Sequence, residues 1–122
     1  MLLIINGGGK LHFIPIDNEK AIIEMGYLYR EKNNQYSQMM VTSDKVDEGD
    51  NLLTNCGYGV LIKLFFKTYV WAFQDLEAAV SACQKLRTKI IKSDSMIEPV
   101  CFDMTEKCKS FTIETQRTEC PF

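Results

Sequence analysis

The segment DLEAAVSACQKLRTKIIKS, Asp75 to Ser93, restricts the fold more than any other stretch of the chain. Leu76, Ala79, Val80, Cys83, Leu86, Ile90 and Ile91 recur at helical spacing and form one apolar stripe. Asp75 suits the N-cap, Glu77 the positive first turn, and Lys89 and Lys92 the negative last turn. Glu77, Ser81, Gln84, Arg87 and Lys92 fall on the opposite, polar side. A helix apolar on one side needs a surface to cover. The run before it, VLIKLFFKTYVWAF (Val60 to Phe73), supplies β-branched and aromatic residues that pack well on a pleated surface. It is too short for a membrane span and carries Lys63 and Lys67. The expected fold is therefore α+β: a small single domain, residues 1–122, with a mixed or antiparallel sheet covered by one long amphipathic helix.

At 122 residues the chain buries roughly two-thirds of its unfolded surface, enough for one core. Its 14 Lys and Arg against 16 Asp and Glu give a formal charge of -2, so no strong overall field draws it to nucleic-acid phosphates or anionic lipid. Lys85, Arg87, Lys89 and Lys92 read as the solvated side of the helix. The apolar LLII run at the N-terminus stops at Asn6 with no basic leader, which reads as a cytoplasmic protein and not a secreted one. The five cysteines, Cys56, Cys83, Cys101, Cys108 and Cys120, are an odd number and are read as separate thiols. Their spacing matches no zinc motif, and no metal or cofactor is expected. A cysteine nucleophile needs a base beside it; His12 is the sole histidine, so Cys56 or Cys83 would have to meet it in space.

INGGGKLHFI, Ile5 to Ile14, resembles a phosphate loop only in composition. A P-loop runs from a strand into a helix and ends in Gly-Lys followed by Ser or Thr, whereas Lys10 is followed by Leu11 and an alternating run. The reading is a hairpin: Leu2–Ile5, a turn over Asn6–Lys10, then Leu11–Ile16 with Leu11, Phe13 and Pro15 on one side and His12, Ile14 and Ile16 on the other. Pro15 makes the second strand an edge or bulged strand. Asp17 to Gly26 is read as a short capped helix leading into a strand YLYRE, with an all-strand alternative in which Ile23, Met25, Tyr27 and Tyr29 share a side. YSQMMVT is the next strand. Residues 43–51 form a polar loop whose carboxylates miss calcium-loop spacing. Leu52 to Gly59 reads as one helical turn stopped by Gly57. VCFDM and SFTIET form a terminal hairpin, and residues 116–122 fray.

No motif names a reaction. The expected function is that of a noncatalytic small regulatory or inhibitory binding protein of microbial or viral origin, acting by occlusion through a protein partner, self-association or a small polar or phosphate-bearing ligand. Lys10, Arg30 and Arg87 are the candidate anion contacts, because guanidinium groups offer bidentate recognition. The alternatives are a nucleic-acid-binding domain and a small enzyme whose site is built by shape. Nucleic-acid binding requires Lys63, Lys67, Tyr69 and Trp71 to project from one face of a continuous strand.

Overall fold

A computed structural model describes residues 1–16, 21–32, 39–46, 53–65, 67–92, 99–104 and 108–114. The elements are β1 (Leu2–Gly7), β2 (Lys10–Pro15), β3 (Ile22–Glu31), β4 (Met40–Thr42), β5 (Leu53–Lys63), β6 (Lys67–Phe73), α1 (Leu76–Lys92), β7 (Val100–Asp103) and β8 (Lys109–Glu114). The fold is α+β, as the helix-after-aromatic-strand pattern requires, but its strands divide into two sheets. One has the order β2-β1-β7 and the other β4-β3-β5-β6-β8.

The glycine-rich stretch is a hairpin turn. Gly7 pairs with Lys10, leaving Gly8 and Gly9 as a two-residue loop with φ of 63° and 75°, the left-handed pair that matches strand twist. β2 is a sheet edge, so Pro15 costs no ladder bond. Ile14 and Ile16 are buried while Leu11 and Phe13 are 55% and 58% exposed, in keeping with the period of two.

The amide of Glu77 donates to Asp75 Oδ1 at 3.2 Å, so Asp75 caps α1. The helix lies against β5, β3 and β6 and touches β7. Its buried residues are Ala79, Ala82, Cys83 and Leu86. The stripe is thus narrower than the sequence spacing predicts and includes Ala82. Leu76 and Ile91 lie at the helix ends and remain exposed, Ile91 by 78%. These helix residues join Leu3, Ile5 and Ile14 from the small sheet and Val60, Ile62, Trp71 and Phe73 from the large one in the main core.

The far face of the large sheet carries a second cluster of Leu28, Leu61 and Val70. Gly26 and Gly59 stand opposite one another in the β3–β5 ladder. A Cβ on Gly26 would stand 2.6 Å from Leu61 Cδ1, and one on Gly59 3.3 Å from Val70 Cγ1. The glycine pair is a hollow that receives these side chains.

Three sequence expectations are corrected. Residues 22–26 are strand and not helix, because Ile22 to Gly26 pair with Lys63 to Gly59 of β5 and tertiary pairing overrides a local capping pattern. Residues 53–59 are strand and not a helical turn; the register shift there sets Leu28 against Gly57 and Tyr29 against Asn55, leaving Cys56 as the extra residue of a bulge. β7 and β8 form no hairpin: β7 runs parallel to β1 and β8 antiparallel to β6. The expected cap at Asp17, part of the polar loop and the frayed tail lie outside the described residues.

Gly8→Ala and Gly9→Ala separate conformational strain from collision. Both force a left-handed alanine, at about 1–2 kcal/mol. Gly8 alone adds a clash, its Cβ falling 2.6 Å from the backbone nitrogen of Ser110 while that of Gly9 meets nothing within 4 Å. Urea unfolding is expected to show the larger loss for Gly8→Ala.

Candidate functional site

The strand ends and the start of the helix enclose a groove of about 910 Å³, lined by Leu28, Arg30, Met39, Cys56, Ala72, Phe73, Gln74, Asp75, Ala78 and Lys109. This volume lies in the usual range for ligand sites. Each lining residue arrives there for a local reason. Leu28 and Arg30 alternate on one face of β3, Ala72 and Lys109 are direct partners across β6 and β8, and the bulge aims Cys56 at the same place. The turn from β6 into α1 brings Gln74, Asp75 and Ala78.

Leu28 and Phe73 are buried, Met39, Ala72 and Ala78 half-buried, and Arg30, Lys109, Gln74 and Asp75 exposed. The groove therefore has an apolar floor and a charged rim. Burial pushes the Cys56 thiol up, and the charge of Arg30 offsets this only in part. Cys56 is nonetheless exposed, and a raised thiol pKa lowers the share of the nucleophilic thiolate.

The other sequence candidates are dispersed. Lys10 is exposed where β2 begins. Arg87 is exposed but lies away from the groove: its Nε donates to the carbonyl of Ile23 at 2.9 Å, and its second guanidinium nitrogen bonds the same oxygen. It ties α1 to β3. Only Arg30 of the three predicted anion contacts lies in the groove. The sequence singles out neither Lys109 nor Met39, and Asp75 only as the helix cap; the aligned start of β8 against the end of β6 is what brings Lys109 in.

The basic and aromatic face is also corrected. Leu64 donates its amide to the carbonyl of Lys67 at 2.9 Å, closing a turn between β5 and β6. Ile62 then pairs with Tyr69 and Lys63 with Thr68, so Lys63 shares a face with Thr68 and not with Lys67, Tyr69 or Trp71. Lys63 forms an ion pair with Glu24 and donates to Ser43 Oγ at 2.6 Å, while Ser43 donates to Glu24. Burial pushes the Glu24 carboxyl up, but bonds from Lys63 and Ser43 and the charges of Lys63 and Arg87 bring it below its ordinary value. This network pins residue 43 to the sheet.

Lys67 lies over the Tyr69 ring at 5.1 Å, and Tyr69 stacks at 6.2 Å on Trp71. Trp71 has no surface in water and cannot receive a base. His12 meets both rings edge-on, at 5.7 Å and 5.6 Å. It stands on the face of β6 opposite Ala72 and the groove, so no His12–Cys56 pair forms. Cys83 faces the core, and burial raises its thiol. Cys56, Cys83, Cys101 and Cys108 are all free thiols; Cys120 lies outside the described residues. Among the described residues no group of three or more His, Cys, Asp or Glu side chains converges to hold a metal ion, and no helix is long and apolar enough to cross a membrane.

Compared with known protein families, curated proteins and solved structures, the chain matches none.

Two measurements follow from this geometry. Arg87→Ala removes a charged donor from the Ile23 carbonyl and is expected to cost about 1 kcal/mol in urea unfolding. Burial, then Lys10 and Lys67, hold the His12 imidazole below its ordinary value of 6.5. The unfolded chain thus binds this proton more readily than the folded one, and stability falls as pH drops through 6.5 towards the lower folded value. Urea midpoints at pH 7.5 and 5.5 should show that loss in the native sequence and a smaller one in His12→Phe. Glu24 acts at lower pH, below the carboxylate's ordinary value of 4.5.

Proposed function

We propose that this protein is a noncatalytic regulatory binding protein that takes a small ligand into the groove over Leu28, Met39 and Ala72. The observation that carries the reading is the apolar floor beneath a rim holding Arg30 and Lys109; apolar concavities with a few polar groups are the usual form of ligand sites. The polar groups nearby support binding over turnover. Asp75 serves as the helix cap, partial desolvation raises the pKa of the exposed Cys56 thiol, and His12 packs on the other side of β6. Regulation or inhibition then proceeds by occupancy, with the ligand or the bound protein blocking another contact.

A protein partner is the second reading, favoured by one feature. Leu2, Leu11 and Phe13 leave an exposed apolar patch on the outer side of the small sheet, and exposed patches of this kind mark contact surfaces. A nucleic-acid interface has less support, because Lys63 lies on the other face from Lys67, Tyr69 and Trp71.

A two-dimensional NMR screen with neutral alkyl and aryl fragments separates these readings. Groove binding predicts shifts clustered at Leu28, Arg30, Cys56, Ala72 and Lys109, with about tenfold or weaker binding in Ala72→Trp. Shifts confined to Leu11 and Phe13 would reject the groove and favour the protein-contact surface.

A further inference from the structure

We propose that a single water molecule is bound beneath the first hairpin, on the face of β6 opposite the groove, with His12 Nε2, Trp71 Nε1 and Ser110 Oγ as its partners. Trp71 is wholly buried and His12 and Ser110 are half-buried, yet all three of these atoms are out of bulk solvent and none has a hydrogen-bond partner among the described residues. Buried polar atoms left unpaired by protein are uncommon, and ordered water is a usual reason for them. The three share one neighbourhood. Trp71 and Ser110 are direct partners across β6 and β8, which sets their side chains next to each other on one face of the sheet. The His12 ring meets Trp71 edge-on, with centroids 5.6 Å apart. The hairpin turn closes over them: a Cβ added at Gly7 would stand 3.0 Å from Trp71 Cδ1, the carbon bonded to Nε1, and one added at Gly8 would stand 2.8 Å from Ser110 Oγ.

Water is selected by which atoms give protons and which take them. The indole N–H only donates, the hydroxyl does either, and Nε2 of a neutral imidazole accepts when the ring proton is on Nδ1. Burial, then the charges of Lys10 and Lys67, keeps the His12 ring neutral at neutral pH. A water molecule accepts from Trp71, donates to His12 and bonds the Ser110 hydroxyl in either sense. All three atoms are then satisfied by about three hydrogen bonds, the usual number for a buried water. A small anion is drawn by Lys10 and Lys67 and accepts from Trp71 and Ser110, but it has no proton for His12. Lys67 is moreover turned to the Tyr69 ring, 5.1 Å from its centroid. The bound water joins β2 of the small sheet to β6 and β8 of the large one, so it belongs to the joint between the sheets.

The test is NMR of the full 15N-labelled chain. Between water and the Trp71 indole proton, a cross-peak is expected with the sign that marks a long-lived contact and not proton exchange. Long-range nitrogen correlations should show neutral His12 as the Nδ1–H tautomer. Ser110→Ala leaves the water two partners and should weaken the cross-peak. Absence of the cross-peak in the native sequence, or a neutral His12 with its proton on Nε2, would overturn the proposal. A cross-peak unchanged in Ser110→Ala would overturn the three-partner site. Shifts at Trp71 and Ser110 that follow chloride concentration at constant ionic strength would overturn it in favour of an anion.

Discussion

Trp71 sits where three parts of the chain meet, with its whole side chain out of water. His12 of β2 meets the ring edge-on, Ser110 of β8 is its partner across the sheet, and it shares the main core with the buried residues of α1. Gly7 is part of this closure, since a Cβ there would stand 3.0 Å from Trp71 Cδ1 and 2.7 Å from the Cβ of Met104. The alternation of β6 does the rest. With Tyr69, Trp71 and Phe73 turned inward, Val70 and Ala72 are turned to the far face of the sheet, and Ala72 becomes part of the floor of the groove. The core and the proposed ligand site are thus two sides of one strand.

The parts of the fold legible in the sequence were those whose signals are local. The helix announces itself by a cap and a stripe, and the first hairpin by glycines that accept left-handed backbone. Where the sequence misled over residues 22–26 and 53–59, glycine was the reason. Gly26, Gly57 and Gly59 resemble stops between short elements, yet they lie inside long strands. Gly26 and Gly59 make room for Leu61 and Val70, and Gly57 lies beside a bulge. Nothing in the order of residues distinguishes a glycine that ends a helix from one that admits a neighbour's side chain. Pairing between strands decides it.

The site was less legible than the fold. Its lining is gathered from β3, the segment before β4, β5, β6, the start of α1 and β8, and no two of its three rim charges lie close in sequence. Arg30 was visible as a scarce guanidinium; Lys109 gained meaning only from its place opposite Ala72. Arg87 shows the converse. It has the same chemistry as Arg30, but one edge of its guanidinium is bonded to the Ile23 carbonyl, so residue type alone does not show which arginine ties elements together. Lys63 and Lys67 show how a turn of a few residues exchanges the faces of a sheet.

The small sheet pairs strands that lie far apart in the chain. β1 stands between β2, its immediate neighbour in sequence, and β7, which joins it only at Leu3 with Val100 and the residues that follow each. A chain emerging from the ribosome therefore makes β1 long before it makes that strand's second partner, β7. Until residue 103 has been synthesised, one edge of β1 has its backbone donors and acceptors open to other chains. The arrival of β7 closes that edge, and the amide of Met104 fastens the closure by donating to the carbonyl of Asn6 at 2.8 Å.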